Sequence, residues 1–243
     1  MKVGVLMIGS LYWSCHPVRE KWRKERLVKD GQVRVKAPIR YGRFSTVPRS
    51  YTMVFSAGLD TAQFGNAIVL PFRKKITRID QLVREARHLW GAERKRKPSE
   101  TVSSGWGCIG LLPNSRGRIS AKIVADWKER VAGEESYPVL KSEDGEEPAV
   151  DASGILRIRW PKTTGGSELD FDALLATATD PCIEDGQYAT VRQIANAWMK
   201  PPGKDHVSYF VNNRANGITT AQDDEIADLL WPICHRDGHR PRA

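Results

Sequence analysis

The first thirteen residues constrain the fold most, because an apolar run stops abruptly at a turn of small residues. Residues 3–8 read Val-Gly-Val-Leu-Met-Ile, which indicates a buried strand, and Gly9, Ser10 and Leu11 follow at once. A strand that ends in such a turn leaves backbone N–H groups without ladder partners, and these can form a nest for a carboxylate or phosphate. Glycine also lets a ligand approach the backbone closely. The pattern predicts either an ordinary tight turn or an anion site directly after the first strand.

The length and composition favour one large domain with a substantial core. The chain has 243 residues, of which 40% are hydrophobic, and eight are tryptophans. We expect a single domain over residues 1–232, with a polar insertion at about residues 133–154 and a basic tail over residues 233–243. No stretch approaches the ~18 apolar residues of a membrane helix, and the N-terminal run is typical of a strand and not of a signal peptide. Four widely separated cysteines indicate reduced thiols, so we expect a cytoplasmic protein without membrane contacts.

The chain is strongly basic, with a formal net charge of +9. Much of the excess lies in three runs, over residues 19–29, 84–97 and 235–242. Such a charge can attract nucleic acid or acidic metabolites. However, charge runs on helix faces are usually solvated surface, and no nucleic-acid-binding motif accompanies them. Nucleic acid therefore stays a possible but secondary partner.

Hydrophobic periodicity predicts a mixture of strands and helices. In residues 79–90 the apolar positions recur at helical spacing and define one buried face. Residues 208–213 are ambiguous between helix and strand. The predicted strands cover residues 3–8, 33–35, 50–56, 65–71, 106–112 and 155–160, and the predicted helices cover residues 17–26, 79–90, 119–131, 169–178, 191–199 and 221–230. This order predicts an α+β fold with a small mixed or barrel-like sheet and packed helices.

The catalytic motifs that a sequence can reveal are few in this chain. Cys234, His235 and His239 have the ligand types of a zinc site, but no fourth ligand is evident and a free tail is the better interpretation. A nucleophile elbow, a P-loop and a dinucleotide fingerprint are all missing from the sequence. A carboxylate remains: Glu85 borders the apolar face of the helix over residues 79–90 and can lean into the protein. The alternative is a surface glutamate neutralised by a neighbouring arginine. Glu20, Glu25 and Glu93 are similar candidates by composition alone. We predict neither a metal nor a cofactor.

Several segments follow one another in a specific order. The turn at residues 8–13 comes first, then an Arg-aromatic segment at residues 40–45, a strand at residues 65–71 that ends in Leu-Pro, and the Arg84-Glu85 pair on a helix. In this order the chain resembles the γ-glutamylcyclotransferase superfamily, and most of all its ChaC-type, glutathione-specific branch. Two positions depart from the family pattern. Ile8 stands where the family has the tyrosine of the turn, and residues 86–89 replace the family's Gly-Gly-Tyr.

The resemblance implies an intramolecular acyl transfer without a metal or a covalent intermediate. The α-amine of a γ-glutamyl substrate attacks its own δ-carbonyl, which yields 5-oxoproline and releases an amine or peptide. By this resemblance Glu85 is the proton shuttle, and the backbone N–H groups of Gly9, Ser10 and Leu11 bind the substrate carboxylate. Cationic side chains form charge-assisted hydrogen bonds with carboxylates, so Arg40 and Arg43 of the segment over residues 40–45 are further candidates for substrate binding.

Two other classes of function remain open at this point. One is a non-catalytic domain of the same fold that binds a small molecule or a protein, since folds are reused for unrelated tasks. This interpretation is favoured because the chain lacks the family's turn tyrosine and its Gly-Gly-Tyr. The other is a nucleic-acid-associated protein that uses the net positive charge.

Overall fold

The computed structural model of the chain describes residues 1–46, 49–132, 134, 140–200 and 204–231. The strands in this part of the chain are β1 (Val3–Met7), β2 (Val33–Ala37), β3 (Ile39–Thr46), β4 (Arg49–Phe55), β5 (Gly65–Pro71), β6 (Ser103–Ser104), β7 (Gly107–Pro113), β8 (Lys162–Thr163), β9 (Ala173–Thr179), β10 (Ile183–Glu184) and β11 (Gln187–Tyr188). The helices are α1 (Ser10–Trp13), α2 (Pro17–Arg26), α3 (Ile79–Glu93), α4 (Ala121–Ala132), α5 (Val191–Met199), α6 (Lys204–Ala215) and α7 (Asp223–Leu230). Short 3-10 turns lie at Lys29–Gly31 and Thr61–Gln63.

Seven strands form one mixed sheet in the order β6-β7-β9-β1-β5-β2-β8. The first strand, β1, lies in the middle of this order, parallel to β9 and antiparallel to β5. All five residues of β1 are buried, which is why its sequence is a continuous apolar run and does not alternate. The turn after β1 therefore emerges from the centre of the sheet. The strands β3 and β4 form a separate antiparallel hairpin.

Helix α3 covers the sheet next to β7 and β9, and it also contacts α2 and α4. Its apolar stripe, which includes Leu82, Leu89 and Trp90, is fully buried. Trp90 shows how this core accommodates a polar group, because its indole Nε1 donates a hydrogen bond of 3.1 Å to the Ser103 carbonyl. The fully buried Trp127 does the same with the Gly154 carbonyl at 3.0 Å. In both cases the large aromatic ring is buried with an acceptor for its indole N–H.

The hairpin β3–β4 is held against α5 and α6 by a second aromatic cluster. The rings of Tyr41 and Trp198 meet edge to face with centroids 5.0 Å apart, and Phe210 packs against Trp198 at 5.2 Å. Trp198 also donates a hydrogen bond of 2.8 Å to Ser50 Oγ on β4. This cluster joins the C-terminal helices to the hairpin.

Comparison with the sequence confirms the α+β class and corrects several elements. The predicted bounds of α2, β5 and α5 are correct. The helix predicted over residues 169–178 is wrong, because residues 173–179 form β9 between β7 and β1. The strand predicted over residues 155–160 is also wrong, since only Ile155 and Leu156 make isolated bridges there. Residues 208–213 lie in α6.

The main sheet is mixed, because β1 is antiparallel to β5 and parallel to β9. In the described residues its two edge strands are β6 and β8, and these do not pair with each other. Part of the predicted insertion belongs to the core, because Leu140, Ala149 and Val150 are buried. Residues 133 and 135–139 of that segment lie outside the described residues, and so does the predicted tail at 233–243. None of the described helices is both long enough and apolar enough to cross a membrane.

Candidate active site

A cavity of about 350 Å³ opens where β1 ends. Its wall combines the turn after β1 with the β3–β4 hairpin, the end of α3, two threonines of β9 and the start of α6. Gly9, Ser10 and Leu11 all line it. The segment predicted as a turn is the start of the short helix α1, with Gly9 as its N-cap, and we refer to it as the turn after β1. Most of the other lining groups are hydroxyl-bearing or charged, which suits a small polar ligand.

The glycine of this turn is needed for packing. A Cβ atom at Gly9 would overlap the hydroxyl of Tyr209, which stands against the turn from α6. Tyr209 Oη accepts a hydrogen bond of 3.3 Å from the backbone N–H of Met53 in β4. Burial raises the pKa of Tyr209, so its hydroxyl remains protonated over the ordinary pH range. The turn, the hairpin and α6 are thereby joined at one point of the cavity wall.

Arg19 of α2 connects the turn to the end of α3. Its Nη1 donates a hydrogen bond of 2.7 Å to Ser10 Oγ, and its Nε donates one of 3.2 Å to the Ala92 carbonyl. Its Nη2 donates to the Glu93 carbonyl at 3.1 Å and to Glu93 Oε1 at 3.2 Å. The side chain is only 5% exposed, so these partners replace water around the guanidinium. The last carbonyls of a helix have no partners within the helix. Here Arg19 donates to the Glu93 carbonyl, and it shares the Ala92 carbonyl with the Lys95 N–H.

Glu93 is the acid that the structure brings to the turn. It is the last residue of α3, its side chain is 19% exposed, and it lines the cavity together with Ser10 and Arg19. The sequence pattern favours Glu85 and predicts the helix only to residue 90, so Glu93 is a candidate by composition alone. The signal that distinguishes them is non-local: Arg19 lies 74 residues before Glu93 and fixes the helix end against the turn.

Arg43 of β3 supplies a cation that is ready for a ligand. The register between β3 and β4 shifts just before Arg43, which marks a β-bulge that redirects the side chain. Its guanidinium lies 4.4 Å from the ring centroid of Trp106. Within the described part of the chain, the guanidinium of Arg43 has no hydrogen-bond or ion-pair partner, yet it lines the cavity. Burial lowers the pKa of Arg43, and the neighbouring Glu93 opposes that shift.

A further cation stands at the mouth of the cavity. Lys95 has a φ of +56°, a left-handed conformation that is uncommon for a residue with a side chain. It is exposed and lines the cavity. Arg19, Arg43 and Lys95 thus face one carboxylate, that of Glu93, and the cavity suits an anionic ligand.

The structure corrects the predicted position of Glu85. Glu85 is not among the residues that line the cavity. Its Oε1 accepts a hydrogen bond of 3.1 Å from Arg26 Nη1, while its Oε2 is buried and has no partner in the described part of the chain. Burial raises the pKa of Glu85, and Arg26 opposes that shift. Glu85 precedes Glu93 by eight residues, which is about 12 Å along the axis of α3, so only one of the two acids can face the turn.

Arg40 also lies elsewhere, although the sequence predicted it beside Arg43. Its Nη1 is 3.5 Å from Glu143 Oε2, and its guanidinium lies 4.1 Å from the ring centroid of Tyr188. Arg40 is not among the lining residues of the cavity. Glu143 comes from the segment that the sequence predicts as a polar insertion, so the sequence carries no local sign of this ion pair.

The described residues contain no group of three or more His, Cys, Asp and Glu side chains that could hold a metal ion. Cys234, His235 and His239 lie outside those residues. In comparisons with known proteins, no family model, no curated protein and no solved structure matches this chain.

Proposed function

We propose that the chain is a γ-glutamylcyclotransferase-like enzyme that uses Glu93 as its acid. The observation that carries this proposal is the shared cavity, in which the Gly9-Ser10-Leu11 turn and the Glu93 carboxylate are joined by Arg19. The order of the elements supports it as well. The turn follows β1, the Arg-aromatic segment lies in β3, the Leu-Pro end belongs to β5, and the acid is on the helix that comes next.

The substrate would carry its own nucleophile, so the enzyme has to orient it and move one proton. The α-carboxylate would bind the guanidinium of Arg43 and the backbone N–H groups of the turn. The α-amine then attacks the δ-carbonyl, a C–N bond of the five-membered ring forms, and the C–N bond to the leaving amine breaks. Glu93 would take the proton that the attacking nitrogen loses and return it to the leaving nitrogen.

Arg19 has the geometry of a positioning residue for this step. It contacts Glu93 at both the carboxylate and the main chain, and it contacts Ser10 at the other side. A carboxylate held in this way has few orientations to lose when the substrate binds. Ile8, which stands where the family has a tyrosine, lines the same cavity, so any loss of a substrate contact at this position is local to the site.

The experiment is a product assay with a matched pair of variants on one helix. The purified protein is incubated with glutathione and with a panel of γ-glutamyl amino acids, and 5-oxoproline is measured. We expect Glu93→Gln to lower turnover by about 10²-fold or more, as is typical for a general acid–base group, and Glu85→Gln to retain turnover while the protein stays folded. Absence of 5-oxoproline from every substrate, in folded protein, would contradict the proposal. Loss of activity in Glu85→Gln alone would return the role to Glu85.

A second candidate function is binding without catalysis in the same cavity. The observation that favours it is that both glutamates of α3 are held by arginines, Glu93 by Arg19 and Glu85 by Arg26. Titration calorimetry with γ-glutamyl compounds distinguishes the two functions. Saturable binding without 5-oxoproline, weakened by Arg43→Gln and unchanged by Glu93→Gln, indicates a binding protein.

A further inference from the structure

A second cavity, of about 590 Å³, lies at the far edge of the main sheet, where β8 pairs with β2. It shares no lining residue with the cavity at the end of β1. Its wall holds four cationic side chains. They come from β2, from the loop after β7, from the segment before β8 and from β8 itself: Lys36, Arg116, Arg159 and Lys162. Neither the sequence patterns nor the proposed reaction accounts for this concentration of charge.

The pairing register of β2 and β8 is the observation that most favours a ligand among these cations. Lys36 of β2 and Lys162 of β8 are directly opposite each other in the antiparallel pair. Directly opposite residues project from the same face of a sheet, and like charges in such a pair destabilise it. Both side chains line the cavity, so a ligand in the cavity can contact both like charges.

The described residues provide little negative charge to offset this repulsion. Glu168 is the carboxylate in the wall, and it is shared: its Oε1 lies 3.5 Å from Arg116 Nη1 and 3.7 Å from Lys162 Nζ. Lys36 and Arg159 have no ion-pair partner in the part of the chain that the structure describes. A polyvalent anion in the cavity would offset the repulsion between these side chains.

The remaining wall favours a ligand with a flat ring and a phosphate. The half-buried rings of Phe64 and Trp160 line the same cavity, and aromatic faces of this kind stack on nucleobases. Gly166, in the turn after β8, has a φ of +84°, and a Cβ at this position would meet no atom within 4 Å. Open glycine backbone of this kind allows a phosphate to approach the main chain.

We propose that this cavity is a second ligand site and that it binds a nucleoside phosphate. The phosphates are held by Lys36, Lys162 and Arg159, and the base stacks against Phe64 and Trp160. The volume of the cavity falls within the range of roughly 300 to 1,000 Å³ of small-molecule sites. The proposal does not depend on the cyclisation chemistry, since the two cavities are separate.

The test is titration calorimetry of the full chain with ATP, with adenosine and with pyrophosphate. We expect ATP to bind, and to bind more tightly than pyrophosphate, which lacks the ring, or adenosine, which lacks the charge. Lys36→Gln should weaken ATP binding by about tenfold, because it removes a charged hydrogen-bond donor. Lys75→Gln is the matched control: it removes the same charge from an exposed position that does not line the cavity, and it should leave the affinity unchanged.

A second readout separates a ligand site from a structural role. Because Lys36 faces Lys162, the Lys36→Gln variant should unfold at the same temperature as the wild type or higher, while it binds ATP less tightly. Three results would overturn the proposal: no ATP binding, equal affinity for pyrophosphate and ATP, or equal weakening by Lys36→Gln and Lys75→Gln. Much tighter binding of a single-stranded oligonucleotide than of ATP would replace it with a nucleic-acid surface.

Discussion

The contact that holds the candidate active site together is the guanidinium of Arg19, and its removal gives the sharpest test of the structure. Arg19→Met keeps most of the apolar stem and deletes the four hydrogen bonds to Ser10, Ala92 and Glu93. The stem can still pack, so the loss reports mainly on the polar contacts.

The magnitude follows from the groups that would lose their partner. The Glu93 carbonyl loses its charged donor, and an unmet carbonyl costs about 1–3 kcal/mol when it is buried. The Ala92 carbonyl keeps a hydrogen bond of 3.2 Å from the Lys95 N–H, so it adds little. The ion pair with Glu93 adds about 1 kcal/mol, because the carboxylate is partly exposed and therefore screened. Ser10 Oγ can turn towards the cavity, so it adds little. The expected loss is about 2–4 kcal/mol, the sum of the unmet Glu93 carbonyl and the screened ion pair.

The assay is equilibrium denaturation in urea followed by tryptophan fluorescence. Arg19→Lys should lose less than Arg19→Met, because an ammonium can keep some of the contacts but lacks the planar fork. Lys21→Met on the same helix is the control, since its side chain is 73% exposed and should change the free energy of unfolding by less than about 0.5 kcal/mol. A loss below about 1 kcal/mol in Arg19→Met, or an equal loss in Lys21→Met, would refute the reasoning from buried hydrogen bonds.

Three further predictions concern packing and pH. Gly9→Ala should cost about 1–3 kcal/mol in thermal denaturation, because its methyl group overlaps the hydroxyl of Tyr209. Adding Tyr209→Phe to this variant should recover part of the loss. Strictly additive effects of the two substitutions would contradict the overlap. Burial raises the pKa of Glu85, so the native state keeps the carboxyl proton to a higher pH than the unfolded chain does. The contribution of Glu85 to the free energy of unfolding is therefore present at low pH, and it is lost as the pH rises through the native pKa. Urea denaturation at a series of pH values should therefore show that Glu85→Gln gains stability relative to the wild type as the pH rises, and a difference that is constant with pH would argue against this. Trp198→Phe should cost about 1–3 kcal/mol, because the indole is fully buried and donates a hydrogen bond. Trp231→Phe, at a position that is 41% exposed, should be near neutral. The two variants are compared by urea denaturation, and equal effects would disprove the assignment of Trp198 to the core.

The elements that the sequence predicted well are those stabilised by local interactions. Helix α5 begins after Thr190, whose side chain accepts a hydrogen bond of 3.3 Å from the N–H of Gln193, and the Gln193 side chain accepts one of 2.8 Å from the N–H of Thr190. Helix α2 has Pro17 at its first position, where the missing N–H costs nothing. Signals of this kind lie within four residues of each other and can be identified in the sequence.

The elements that the sequence predicted wrongly depend on distant partners. Residues 173–179 are mostly small or apolar, and their period does not separate a helix from a strand. They form β9 because β7 lies on one side and β1 on the other, with Leu175 opposite both Leu111 and Val5. The register of these pairs is a property of the assembled sheet, so no window of the sequence contains it.

The candidate active site divides along the same line. The sequence by itself determined that a buried strand ends at small residues, and that a later helix carries Glu85 at the edge of its apolar face, since both follow from short-range patterns. The tertiary structure alone decided which acid meets the turn. Arg19 docks α2 against the last carbonyls of α3, and this contact, across 73 residues of chain, places Glu93 in the cavity and leaves Glu85 beside Arg26. The two glutamates have the same local chemistry, and only the docking of one helix on another gives them different surroundings.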